Sequence, residues 1–179
     1  LDTSASSTPD DSNTSTNTGD GTWWIPTTGR VTAPYGDTSA SVHSTGHPGC
    51  DIGAPKGTNI IASRAGKVIW AAMGVTGSGY GGYGNCVCID HGDGYRSIYG
   101  HMSQINVGKG NTVSQGQSIG LVGSTGLSTG NHCHFEIRNS GQLTDPSSFI
   151  PILAKKGAQV SAGNTSSSTT TSNPSLTKS

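Results

Sequence analysis

The sequence contains few charged residues and no concentration of charge of one sign. Ten lysines and arginines balance ten aspartates and glutamates in 179 residues, so the formal net charge is zero. Nucleic-acid binding depends on clustered positive charge, and we therefore expect no nucleic-acid partner. Long apolar runs are also missing, so we expect no membrane span. The chain begins with Leu1 and no signal peptide is recognisable, so we expect it to be either an excised fragment or a processed product.

Helical periodicity is missing as well. No window repeats apolar residues every three to four positions. Instead, short apolar runs such as NIIASRAGKVIWAA (59–72) and NCVCID (85–90) alternate with glycine-rich turns, and Asp93-Gly94 is a typical tight-hairpin pair. We predict a mainly β domain over residues 22–152, with antiparallel sheets that form a small sandwich or partly open barrel.

The two ends of the chain are dominated by serine and threonine. Residues 1–21 and 153–179 offer too little apolar surface to offset the entropy of ordering them. We predict that both are flexible linkers. The domain between them is expected to be monomeric and to belong to a larger modular protein.

Cysteine is scarce, with four residues: Cys50, Cys86, Cys88 and Cys133. An even number is compatible with disulfides in an exported protein, but Cys86 and Cys88 lie on one face of a strand and are poor partners for each other. A four-cysteine zinc site would need paired spacing that is missing here. Buried free thiols or disulfides are both compatible with the sequence.

The run His132-Cys133-His134 follows a turn-like stretch and precedes strand-like FEI. Because side chains alternate along a strand, His132 and His134 should project on one side and Cys133 on the other. Two neighbouring imidazoles can share a metal ion or divide the work around it. Glu136 has the same parity, so it either supports a histidine by a hydrogen bond or is an exposed strand residue.

A second candidate pair is His47 and Asp51 in the stretch HPGCD. Pro48 and Gly49 make a helix implausible, but an irregular loop can still bring both side chains to one ion. Imidazole and carboxylate ligands suit Zn²⁺, and three protein ligands would leave one position open for water.

Other histidines and motifs carry less information. His101 lies at the end of a predicted strand, whereas His43 and His91 resemble loop residues without a role. The chain has no HExxH zinc motif. The stretch GSGYGG (77–82) matches a dinucleotide-binding pattern, but a strand follows it where that pattern requires a helix.

An ordered set of motifs resembles peptidase family M23, the zinc endopeptidases of the lysostaphin and LytM type. The similar stretches cover almost all of residues 29–150 and are GRVTAPYG, HPGCDIGAPKGT, AGKVI, YGNCVCIDHGDGY, YGHMS, VSQGQSIGLVGSTGLSTG, HCHFEI and TDPSSFI. The resemblance implies a small β fold with a groove. It also implies Zn²⁺ bound by His47, Asp51 and His134, with His101 and His132 as catalytic residues.

By the same resemblance, the substrate is a peptide crosslink of bacterial peptidoglycan. The protein would act outside the cell or in the cell wall, or in a virion if it comes from a phage tail. Asn131 and Cys133 replace the proline and leucine that are common around the HxH motif, and Asp37 stands where a basic residue is common. Tyr80, Tyr83 and Tyr99 are either substrate contacts or scaffold residues.

Two other functions compete with this interpretation. A related domain that has lost its ligands could act as a non-enzymatic partner, but all five site residues are present. A biotinyl- or lipoyl-type carrier has a similar succession of short strands and turns. Its modified lysine lies at the tip of a tight hairpin, typically next to methionine. That setting is missing at Lys56, Lys67 and Lys109.

Overall fold

The computed structural model describes residues 22–40 and 45–164. The strands in these residues are β1 Gly29–Ala33, β2 Cys50–Gly53, β3 Asn59–Ile61, β4 Gly66–Met73, β5 Asn85–Asp90, β6 Tyr95–Met102, β7 Gln104–Ile105, β8 Thr112–Val113, β9 Ser118–Leu121, β10 His132–Asn139, β11 Gln142–Thr144 and β12 Gln159–Val160. Two short 3-10 helices, Pro146–Ser148 and Pro151–Ala154, lie between β11 and β12. The mainly β prediction is confirmed.

The strands form two sheets, and every strand pair in the described residues is antiparallel. The larger sheet has the order β12-β1-β2-β10-β6-β5-β4-β8, with β11 paired to β10, and the smaller sheet has the order β3-β9-β7. The predicted hairpin at Asp93-Gly94 joins β5 to β6. Here Gly94 has a φ of 95°, a conformation that glycine adopts without steric cost.

The core is formed by alternating apolar residues from these strands. Its largest fully buried members include Tyr99, Phe135, Ile52, Ile60 and Ile119. Because Ile52 lies on β2, Phe135 on β10 and Tyr99 on β6, the three neighbouring strands in the middle of the large sheet are anchored by their inward-facing residues. Close packing of these strands fixes the positions of the residues on their opposite face.

The end of the folded region differs from the prediction. Leu153 is 1% exposed and Val160 is 6% exposed, and β12 pairs with β1 through Gly29 and Val160. The prediction of a flexible linker from residue 153 is therefore wrong for residues 153–164, because apolar side chains in this segment complete the core. The predicted linker at residues 1–21 and the remainder of the carboxy-terminal one, 165–179, lie outside the described residues.

All four cysteines are buried and free. Cys133 points into the core, as the alternation along β10 predicts, and Cys50 belongs to the same apolar cluster. Burial raises the pKa of the Cys86 thiol to about 12, so this thiol is protonated at neutral pH. Of the two alternatives left by the sequence, buried free thiols are the correct one.

Candidate metal centre and active-site groove

Neighbouring strands bring the predicted ligands together. Asp51 on β2 is paired directly with His134 on β10, and His134 is paired in turn with Gly100 on β6. His132 lies two residues before His134 on the same face, and it also forms a bridge with Gly123. A site on three adjacent antiparallel strands is rigid, because each residue is held by ladder hydrogen bonds on both sides.

His47 comes from the loop before β2. Its Nδ1 atom lies 3.1 Å from the Ala33 carbonyl oxygen, and its Nε2 atom lies 3.1 Å from Asp51 Oδ1. This loop passes close to β10 because residue 49 is glycine: a Cβ there would lie 2.4 Å from the carbonyl oxygen of Phe135. The glycine thus allows the His47 side chain to reach a carboxylate four residues further along.

Three histidine nitrogens converge on one carboxylate oxygen. Asp51 Oδ1 lies 3.1 Å from His47 Nε2, 2.9 Å from His134 Nδ1 and 3.6 Å from His132 Nε2. His47, Asp51 and His134 are all buried, and their potential ligand atoms lie within 4.8 Å of one another. It is the only group of this kind in residues 22–40 and 45–164.

Each of these histidines is fixed by a second partner on the outer side of its ring. His132 Nδ1 lies 2.8 Å from the Gly130 carbonyl oxygen, and His134 Nε2 lies 2.8 Å from Glu136 Oε2. Since carbonyl and carboxylate oxygens only accept, the outer nitrogen carries the hydrogen. In a neutral ring the lone pair is then on the inner nitrogen, where it faces the Asp51 carboxylate, so a proton or a cation between the two groups is favourable.

The charges at this centre favour a cation. Burial alone would raise the pKa of Asp51, but hydrogen bonds with His134 and His47 lower it well below its usual range. Burial alone would lower the pKa of His134, yet its hydrogen bonds with Asp51 and Glu136 raise that pKa to about 9. Two buried carboxylates on either side of one imidazole therefore stabilise positive charge between them.

His101 completes the cluster from the end of β6. Its ring centroid lies 4.8 Å from that of His132 and 5.9 Å from that of His134. Its Nδ1 atom donates to the Thr125 carbonyl oxygen at 2.7 Å. Burial lowers the pKa of His101 to about 4, so the ring is neutral at neutral pH and its Nε2 atom is a hydrogen-bond acceptor.

The backbone of His101 adopts an unusual conformation. Its φ is 59°, in the left-handed region that non-glycine residues rarely adopt. The conformation is held by a 2.7 Å hydrogen bond from the His101 amide to the Tyr83 carbonyl. Strained residues that the surrounding structure holds in place are concentrated at functional sites.

The five residues lie on the floor of a groove of about 510 Å³. Residues 32–40, 81–83 and 127–131 contribute to its walls. Apart from Asp51, the only carboxylate among its described lining residues is that of Asp37. A hydrogen bond from the Ser39 amide and one from Lys156 Nζ, 3.1 Å away, lower the pKa of Asp37 to about 2. Asp37, which stands where the family commonly has a basic residue, therefore gives the groove an acidic group that is already paired with Lys156.

The three tyrosines have different positions. Tyr83 lines the groove, and its ring stacks on His134 at 5.4 Å. Tyr80 stacks on Trp70 instead, and Tyr99 is fully buried. Tyr83 is thus the one of the three that lines the groove, while Tyr99 is a scaffold residue.

The remaining histidines are not part of the site. His43 lies outside the described residues. His91, predicted to be a loop residue, is 8% exposed; it contacts the Ala65 carbonyl oxygen at 2.7 Å and the Ser97 hydroxyl at 2.9 Å. It belongs to the core. Sequence reasoning missed this role because the Ala65 carbonyl that contacts the ring precedes β4 and lies 26 positions earlier in the chain.

Comparisons with known proteins give the family of this chain. The family model described as "Peptidase family M23" matches residues 45–146. The chain belongs to peptidase family M23. It is 36% identical over 143 residues to the murein hydrolase activator NlpD of Salmonella dublin, a match that covers 80% of this chain and 35% of the relative.

Two solved structures of peptidases are also similar. A zinc-containing peptidase from Vibrio cholerae has a TM-score of 0.59 at 30% identity, covering 68% of this chain and 37% of that one. The antimicrobial peptidase lysostaphin from Staphylococcus simulans has a TM-score of 0.57 at 32% identity, covering 69% and 48%. The chain therefore spans half or less of the length of each of these proteins, and it shares the lysostaphin-type fold.

Proposed function

We propose that this M23 domain is a zinc-dependent endopeptidase that hydrolyses peptide crosslinks of bacterial peptidoglycan. The observation that carries the proposal is the convergence of three histidine nitrogens on Asp51 Oδ1, with the outer nitrogen of each ring bonded to a fixed acceptor. The words murein, zinc and peptidase in the names of the similar proteins support it.

The residues fit a zinc ion. Two imidazole nitrogens and one carboxylate oxygen, from His47, His134 and Asp51, form the three-ligand set typical of catalytic zinc sites. A bound Zn²⁺ would act as a Lewis acid that polarises the scissile carbonyl and acidifies a water molecule. The groove leaves this side of the ligand cluster open to a substrate.

His132 and His101 would handle the protons. The Nε2 atom of His132 is free to accept a proton from the attacking water, because Nδ1 is bonded to the Gly130 carbonyl. In neutral His101 the Nε2 atom also accepts, since Nδ1–H is bonded to Thr125. His101 therefore has to gain a proton before it can donate to the oxyanion, and its ring lies close enough to His132 to share one through water or substrate.

The proposed site of action is the bacterial envelope, outside the cytoplasm. The names of two similar proteins refer to murein and to an antimicrobial peptidase, which supports this proposal. In residues 22–40 and 45–164, no helix has the length and hydropathy to cross a bilayer. We also propose that this domain belongs to a larger modular protein.

The test is a purified chain incubated with cell walls of different crosslink types, with the released fragments identified by mass spectrometry. A His132→Ala variant should lose turnover by at least about 100-fold while it still binds one zinc ion, because all three ligands are retained. Undiminished turnover in this variant would refute the assigned base. Failure of the wild-type chain to bind zinc would refute the metal centre.

A second candidate function is activation of another murein hydrolase, since the relative NlpD carries that name at 36% identity. The two functions separate cleanly in one assay. An endopeptidase releases peptides from walls without a second enzyme and is inactivated by His132→Ala. An activator accelerates lysis only when another hydrolase is added, and it keeps that effect after the substitution.

A further inference from the structure

The only glutamate in the 179-residue sequence is Glu136. It lies on β10, two residues after His134, and it is completely buried. A charged carboxylate is rarely found fully buried unless it is paired. The surroundings of Glu136 therefore indicate what this carboxylate does.

Both oxygens of the Glu136 carboxylate are occupied by donors. Oε2 accepts from His134 Nε2 at 2.8 Å and from the Tyr83 hydroxyl. Oε1 accepts from Arg138 Nε at 2.9 Å and also contacts Arg138 Nη2 at 2.8 Å. Arg138 Nη2 also donates to the Tyr83 hydroxyl at 3.2 Å, so the three residues form a closed network around the outer nitrogen of His134.

The network restricts His134 in two ways. Glu136 and Asp51 are both carboxylates and can only accept, so each nitrogen of the metal-free His134 ring faces an acceptor. A metal held by Asp51 would take the place of the hydrogen on Nδ1, while Glu136 keeps the hydrogen on Nε2. The ring of Tyr83 stacks on that of His134 with an interplanar angle of 29°, which limits rotation of the imidazole. Glu136 therefore sets which nitrogen of His134 keeps its hydrogen, and Tyr83 limits the orientation of the ring.

Stability alone does not account for such an arrangement. Burying an ion pair costs desolvation energy, and well-packed apolar residues often replace it without loss of stability. Besides Arg138, the Glu136 carboxylate contacts His134, which belongs to the proposed metal centre, and Tyr83, which lines the groove. We propose that Glu136, held by Arg138 and Tyr83, is a positioning residue that keeps Nδ1 of His134 available to the metal.

This inference depends on the zinc site proposed above. Its first test is the zinc affinity of Glu136→Gln in the full chain, measured by competition with a chromogenic chelator. The amide can donate to Nε2 and so favours the wrong tautomer, and the affinity should fall by about 10- to 100-fold. Asp90→Asn is the matched control, because this carboxylate lies at the remote β5–β6 hairpin; it should bind zinc like the wild type.

A second variant separates positioning from folding. Glu136→Gln leaves the Arg138 guanidinium without its carboxylate, whereas the double variant Glu136→Gln with Arg138→Gln removes both charges of the pair. The double variant should regain thermal stability but not zinc affinity. If zinc affinity returns together with stability, Glu136 has only a structural role and the inference is wrong.

The wild-type protein offers a direct measurement of the tautomer. In the zinc-loaded chain, the ¹⁵N–¹H NMR spectrum of the imidazoles should show the His134 hydrogen on Nε2. A hydrogen on Nδ1 would overturn the inference, even if zinc binds with full stoichiometry. A wild-type chain that binds no zinc would instead overturn the proposed metal centre, so the two failures can be distinguished.

Discussion

Replacing Gly49 with alanine tests how the proposed metal centre is assembled. This glycine lies between His47 and Asp51, where the loop crosses close to β10. An added Cβ would lie 2.4 Å from the Phe135 carbonyl oxygen, 2.9 Å from Glu136 Cγ and 3.1 Å from His134 Cε1. The nearest of these atoms is backbone in a central strand, so the loop has to move rather than the strand.

The size of the displacement follows from the contact distance. Ordinary van der Waals contact begins near 3.4 Å, and 3.4 − 2.4 gives a movement of 1.0 Å. Ligand distances in metal sites tolerate about 0.2 Å, and a misplacement of about 1 Å can lower turnover about 100-fold. The same overpacking should destabilise the fold by only about 1–3 kcal/mol. A domain with a typical stability of about 5–15 kcal/mol remains mostly folded after such a loss, so turnover should fall about 100-fold in a protein that is still folded.

The measurements are zinc affinity, wall hydrolysis and thermal unfolding of Gly49→Ala. Gly108→Ala is the matched control: the nearest atom to its added Cβ is Asn111 Oδ1 at 3.8 Å, so all three quantities should remain at the wild-type level. The reasoning is refuted if Gly49→Ala folds and keeps both wild-type zinc affinity and wild-type turnover. It is also refuted if both glycine variants lose function equally.

Three further predictions concern stability. The pKa of His91 is lowered from 6.5 to about 4, mainly by burial. The unfolded chain therefore binds a proton first as the pH falls, and between pH 6.5 and 4 the free energy of unfolding should drop by up to about 3 kcal/mol. Denaturant titrations should show a shallower drop in His91→Gln; identical pH dependence would contradict the assignment. Leu153→Ala should cost about 2–5 kcal/mol, measurable by urea unfolding, whereas a flexible linker would give no change. Removing zinc with a chelator should lower the melting temperature, since zinc at 100 times its Kd stabilises the fold by about 2.7 kcal/mol; Asp51→Ala should abolish this difference, and a chelator effect that persists in it would place the metal elsewhere.

Much of the site was predictable because its determinants are local. Alternation along a strand puts His132 and His134 on one face and Cys133 in the core, and β10 shows this arrangement. The hairpin at Asp93-Gly94 is likewise a property of two adjacent residues. Such features require only the geometry of a few consecutive residues.

Long-range partners could not be predicted in the same way. The burial of Val160 depends on pairing with Gly29, which is 131 positions away (160 − 29), and the short polar segment around it carries no periodic signal. The acceptors that orient His47, His101 and His132 are backbone carbonyls. Every residue has a carbonyl, so the sequence contains no mark of which one will face an imidazole.

His101 illustrates why a family resemblance was needed. Gly100 is paired with His134, so regular alternation along β6 would direct the next side chain to the opposite face, away from the groove. The register between β5 and β6 shifts here: Val87 pairs with Tyr99 and Asn85 with Met102, which leaves two residues on β6 opposite one on β5. A bulge of this kind redirects side chains next to active sites. The bulge and the left-handed backbone of His101 together direct its imidazole into the groove. Simple strand parity predicts the opposite face.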